Sequence, residues 1–144
     1  MKDMTMWEQF FYYFSHNGDY VFTQFIRHFL ISIYGVLLAA IVGIPLGILI
    51  ARRSRLRSVV MGIANVLQTI PSLAMISILM LGLGLGMKTV VATVFLYSLL
   101  PIIGNTYSGI RSVNDDLVDA ARGMGMTKLQ RLFMVEIPLS LSVI

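Results

Sequence analysis

The sequence predicts an all-α fold, a polytopic helical bundle in a membrane, and three observations carry that expectation. Charge is scarce: 12% of the 144 residues are charged and 57% are hydrophobic, with a mean hydropathy of +0.82, where a soluble domain carries about 25% charge. Three long stretches, 29–51, 58–87 and 89–110, hold no charged side chain. The basic residues that separate them are sorted unevenly between alternate gaps. Such hydrophobicity excludes a disordered chain, and so few polar groups could not cover a small soluble enzyme domain. The net charge of +4 does not point to nucleic acid, because the eleven Lys and Arg are dispersed between apolar runs and form no basic stripe. With no cysteine, there is no disulfide or thiolate metal framework.

A spanning helix needs roughly 20 mostly apolar residues, so helices are placed at 24–51, 58–82 and 88–109. The first is not a cleavable leader: its basic cluster, Arg52, Arg53, Arg55 and Arg57, follows the apolar run instead of preceding it. One side of the membrane then receives that cluster together with Arg111, Arg122, Lys128 and Arg131, eight basic residues, while the other receives Lys2, Arg27 and Lys88. Positive charge concentrates on the cytoplasmic side, which puts the N-terminus outside. In the external segment, 1–23, the residues Trp7, Phe10, Phe11 and Phe14 recur at one-face helical spacing. They suit a short helix over 3–15 lying on the outer leaflet or, equally, an aromatic stripe packed on the protein's own helices.

Within the first span Gly35, Ala39, Gly43, Gly47 and Ala51 fall at every fourth position. A small-residue face lets another helix approach closely; lining a pore is the rarer use. Each span also holds one proline, Pro45, Pro71 or Pro101, and each proline removes a backbone donor and bends its helix. Gln68 and Thr69 precede Pro71, and Asn105 follows Pro101. These polar groups beside kinks are candidates for a translocation path and for interhelical hydrogen bonds, the second being the commoner use. No acid or base is expected buried within a span, His28 sitting at an edge, so the chain shows no proton relay of its own. His16 and His28 lie outside or at the interface without ligand partners at metal spacing. No metal, cofactor or catalytic residue is implied. Gly82, Gly84 and Gly86 lack the third glycine of a dinucleotide loop and read as an outer turn.

The richest segment is 111–138. Ser112 and Asp115 have the form of a capping start, a helix follows to about Arg122, and Gly123 and Gly125 supply a stop and a turn. Thr127 and Gln130 form a second capping box, opening a helix to about Val135 that Pro138 is expected to close. Leu117, Met124, Met126, Leu129, Leu132 and Phe133 give this cytoplasmic segment an apolar surface, available to a partner or to the underside of the membrane helices.

Asp119, Ala120 and Ala121, then Gly125, then Val135, Ile137 and Pro138 resemble the EAA motif of ABC importer permeases at every spacing, with Asp for Glu, Val for Ile and Ile for Leu. By that resemblance the segment is a coupling helix that docks on a separate ATPase subunit. Residues 24–144 would form a permease domain of a bacterial or archaeal cell membrane, paired with a second permease subunit and served by an extracytoplasmic substrate-binding protein. Gln68 to Ser72, Tyr97 to Ile103 and Asn105 to Tyr107 are similar to permeases for quaternary-amine osmoprotectants such as glycine betaine, carnitine and choline. A methionine or other amino-acid importer permease is the nearest alternative, followed by a small structural membrane protein and, last, a membrane enzyme. Permeases of the resembled type have further spans, so a hydrophobic run starting at Leu139 reads as the start of a fourth and the chain as an N-terminal fragment. The chain lacks a P-loop, so ATP hydrolysis is expected on the other subunit.

Overall fold

The structure is a computed structural model that describes residues 5–142. The start of the 3–15 helix, Lys2 in the outer charge count and the end of the run after Leu139 lie outside the described residues. α1 (Met6–Arg52) begins at a box missed in the sequence: the Thr5 hydroxyl accepts from the Glu8 backbone N–H, and the Glu8 carboxylate accepts from the Thr5 N–H at 2.8 Å. The aromatic helix and the first span follow one another as two helices joined directly across a kink. Between them Asn17 leaves helical geometry (φ −122°, ψ 23°) while its amide donates to the Tyr13 carbonyl, the local competition with the backbone that Asn offers. Trp7, Phe10, Phe11 and Phe14 are all exposed, so they do not pack on the other described helices.

The small-residue face of α1 does what its spacing predicts. Ile31, Gly35, Ala39, Gly43, Gly47 and Ile50 are buried, against α4 (Met87–Ser112). A Cβ at Gly35 would lie 2.6 Å from Val94 Cγ1, one at Gly43 2.8 Å from Ile102 Cγ2, and one at Gly47 2.5 Å from Thr106 Cβ. No real side chain tolerates such distances, so the glycines set the helix separation. The facing residues advance together along both helices, so α1 and α4 run parallel. Their basic ends, at Arg52 and Arg111, border the same cleft.

Two parallel neighbours require the chain to return between them. That return is the second predicted span, and here the sequence reading needs correction: it is not one straight helix over 58–82. α2 (Ser54–Thr69) and α3 (Ser72–Leu83) are bent by 98° at Ile70 and Pro71. Pro71 cannot donate to the ladder and holds the preceding residue away from helical geometry; Ile70 is extended (φ −75°, ψ 124°). α2 runs antiparallel to α4, with Arg57 stacked on the Tyr107 ring at 4.6 Å and Gln68 bonded to Tyr97 at the far end. The bent pair is thus a broken crossing. Gly84 and Gly86, at φ 75° and 137°, turn the chain from α3 into α4.

Among the described residues two helices are each long and apolar enough to cross a membrane, or three with the bent pair taken as one span. The segment after α4 comprises α5 (Asp115–Gly123), α6 (Lys128–Arg131), a π-helical turn (Leu132–Glu136) and α7 (Ile137–Ser140).

Gly47→Val is expected to destabilise the folded protein by about 1–3 kcal/mol through overpacking, whereas Gly62→Ala, with nothing within 4 Å of its Cβ, should be neutral. Thermal unfolding of the two detergent-solubilised variants checks this; equal melting temperatures would refute glycine-set packing.

Candidate functional site

Of the predicted path residues, Gln68, Pro71 and Pro101 meet at one junction. Pro101 has no N–H, so in α4 the carbonyl of Tyr97, four residues earlier, loses its helical donor. Gln68 Nε2 donates to that carbonyl at 3.0 Å. In return the Tyr97 hydroxyl donates to the carbonyl of Ile70, at the α2–α3 break. Two broken ladders thereby satisfy one another, as backbone freed at membrane depth must be satisfied. Gln68 is therefore an interhelical bonding residue. Thr69 instead bonds back to its own helix, Oγ1 to the Val66 carbonyl at 2.7 Å, and joins nothing across the break. In the sequence Tyr97 carries only the family resemblance; its pairing across helices depends on the antiparallel register of α2.

Asn105 is not at that junction. Pro101, Asn105, Ser108 and Ser112 are exposed at helical one-face spacing, on the side of α4 away from the buried Ile103, Thr106 and Ile110. A polar stripe on a spanning helix faces protein or water more readily than lipid.

The second centre is the segment after α4. Its first helix is capped by Asn114, not Ser112: the Asn114 side chain accepts from the Asp116 N–H at 2.8 Å, while Ser112 bonds to the Gly109 carbonyl within α4. Asn accepts well at this position, and α4 continues through Ser112, leaving that residue no freedom to start a new helix. Asp115 and Asp116 fill the first turn, where the helix dipole favours them.

The end of α5 is a Schellman motif. Met126 N–H donates to the Ala121 carbonyl at 3.2 Å and Gly125 N–H to the Arg122 carbonyl at 3.0 Å, with Gly125 left-handed at φ 79°. That conformation explains glycine at 125. The capping box at Thr127 and Gln130 forms as predicted. Pro138, however, does not close the helix. The Ile137 N–H reaches back five residues to the Leu132 carbonyl, and this wider π turn carries the helix through the proline to Ser140.

Around that frame Asp119 is exposed and ion-paired with Arg122 on its own helix at 3.1 Å. Ala120 is exposed, Ala121 is buried, Val135 and Ile137 are half-buried, and Pro138 is exposed. Of the apolar side chains of the segment, Leu117, Met124, Leu129 and Phe133 are exposed, whereas Met126 and Leu132 are half-buried. The residue that sequence reasoning passed over is Glu136, between Val135 and Ile137. It is buried, with Oε2 2.6 Å from Arg52 Nη2 and Oε1 3.2 Å from Arg131 Nε. Its one sequence signal was being a lone acid in an apolar run.

Parallel apolar helices, a broken crossing between them and a capped segment hung from the basic end define an integral membrane helical bundle. Residues 43–144 match the family described as binding-protein-dependent transport system inner membrane component. The chain belongs to that family, the permeases of ABC importers. It is 61% identical over 132 residues to the glycine betaine/carnitine/choline transport system permease protein OpuCD of Bacillus subtilis, covering 92% of this chain and 58% of the relative. It is 58% identical over 132 residues to the carnitine transport permease protein OpuCD of Listeria monocytogenes serotype 1/2a, covering 92% of this chain and 59% of the relative. It is 56% identical over 141 residues to the choline transport system permease protein OpuBD of Bacillus subtilis, covering 98% and 62%. The chain therefore spans about three-fifths of the length of these curated relatives.

Tyr97→Phe removes the donor to Ile70 and should destabilise the junction by about 0.6 kcal/mol, the average for side-chain hydrogen bonds in membrane proteins; hydrogen exchange across 66–74 should quicken, and an unchanged rate would count against the junction. Gly125→Ala should cost about 1–2 kcal/mol for a left-handed residue with a Cβ, and Gly125→Asn less, read as earlier local unfolding of α5 by hydrogen exchange.

Proposed function

We propose that this chain is a membrane-spanning subunit of an ATP-driven importer of quaternary-amine osmoprotectants, of the glycine betaine, carnitine and choline type. Residues 24–144 contribute the permease domain and 1–23 an external segment whose exposed aromatics rest in the outer leaflet. The basic end faces the cytoplasm, following the eight-to-three distribution of Lys and Arg. The segment 111–138 docks in a groove of a separate ATPase subunit, which supplies ATP hydrolysis. A second permease subunit completes the path, and an extracytoplasmic binding protein delivers substrate. The substrates for which the relatives are named support the substrate class; the polar stripe with Pro101 and Asn105 supports a path along α4, beside which Gln68, Thr69 and Pro71 shape the helix break.

The observation that carries the coupling role is the solvent-facing surface of Leu117, Met124, Leu129 and Phe133 on a capped, glycine-turned frame. Clustered exposed apolar side chains at a polar end of a membrane protein mark a docking surface, and methionine adapts well to a partner groove. Asp119, Ala120, Ala121 and Gly125 shape that surface, and Val135, Ile137 and Pro138 attach it to the membrane helices.

In the intact transporter, uptake of labelled glycine betaine should be inhibited by choline or carnitine and not by methionine; inhibition by methionine alone would move the assignment to an amino-acid importer. Gly125→Asp should insert normally yet lose co-purification with the ATPase subunit and lose uptake. Retention of both would remove the docking assignment.

A further inference from the structure

We infer that Glu136 and Arg52 form a positioning tether that makes the coupling segment and α1 move as one; this rests on the coupling role proposed above. The segment's main helix packing is onto α4, through α7. Its link to α1 is polar: among the described residues Arg52–Glu136 is the one ion pair between α1 and the segment. Glu136 is 5% exposed, and its two oxygens are divided between Arg52, at the end of α1, and Arg131, one helix earlier in the segment. A carboxylate taken from water holds its partners firmly, because separating them leaves an uncompensated buried charge.

The tether also spans a small cavity of about 270 Å³ between the ends of α1 and α4 and the segment, bordered in addition by Arg111, Asp115, Val118 and Arg122. Space beside the ion pair leaves α5 room to be displaced by a partner while the pair holds. Displacement of α5 by a partner would then pull on Arg52. Through the glycine face at Gly47, Gly43 and Gly35 it would carry α1 and α4 together. The π turn places Glu136 in this position: it occupies the last residue of the widened turn before Ile137, and such turns concentrate at functional sites.

The two arginines separate this role from simple stability. Arg52→Gln cuts the link to α1 and leaves Glu136 neutralised by Arg131. Arg131→Gln cuts a link inside the segment, although its side chain, at 8% exposed, is the more buried of the two; Arg52 is 37% exposed. In the transporter reconstituted with its ATPase subunit and binding protein, Arg52→Gln should lower uptake per ATP hydrolysed by about two- to thirtyfold with ATPase co-purification unchanged. Arg52→Lys should restore part of that ratio, and Arg131→Gln should change it less. An unchanged ratio in Arg52→Gln, or a larger loss in Arg131→Gln, would overturn the tether. A second readout needs no substrate: the chain has no native cysteine, so maleimide labelling of Val118→Cys reports access to the cavity. Arg52→Gln should accelerate it, and an unaltered rate would also overturn the proposal. If the unmodified transporter takes up no quaternary amine while this acceleration is seen, the importer reading fails and the tether stands.

Discussion

Everything in this molecule hangs on the contact between the small-residue face of α1 and α4. Lipid offers helices no hydrophobic reason to associate, so close van der Waals packing must hold them. Three glycines at positions where any Cβ would collide provide it. Parallel helices in close register fix the rest: the chain between them must cross back, the two basic ends must lie side by side, and the segment after α4 must hang beside the end of α1. A wider spacing would separate Arg52 from Glu136, and the carboxylate would lose one of its two cationic partners.

The prolines act with this constraint. Each one breaks a ladder, and a break within a membrane is tolerated where a neighbour supplies the missing bond. Gln68 and Tyr97 supply it reciprocally for α2, α3 and α4, so the 98° bend is a fixed shape instead of a loose hinge. Pro138 is handled differently, by widening the helix to a π turn that runs directly on into α7. The same residue type thus yields a sharp break, a bonded kink or a bulge, depending on what packs beside it.

Much of this was legible residue by residue. The fourfold spacing of small side chains named the buried face of α1. The T-x-x-Q box and Gly125 named the turn after α5, since local capping geometry needs no distant partner. What local rules missed were competitions between neighbours. Ser112 and Asn114 both qualify as caps, and α4 continues far enough to claim the first. An uncharged stretch long enough for one span does not reveal a bend within it. Thr5 and Glu8 are the exception: their T-x-x-E box is local and legible from spacing alone.

The sequence by itself determined the membrane class, the uneven spread of basic residues between the apolar stretches, the packing face of α1 and the family-like motif of the segment, because each depends on composition, spacing or the fixed 3.6-residue period of a helix. Only the tertiary structure decided that α1 and α4 run parallel, that Gln68 closes the gap left by Pro101, which apolar side chains of the segment face outward, and that Glu136 is shared between two arginines. These are relations between residues far apart in the chain. Their distances depend on helix register, and register is set by how side chains of different helices fit together.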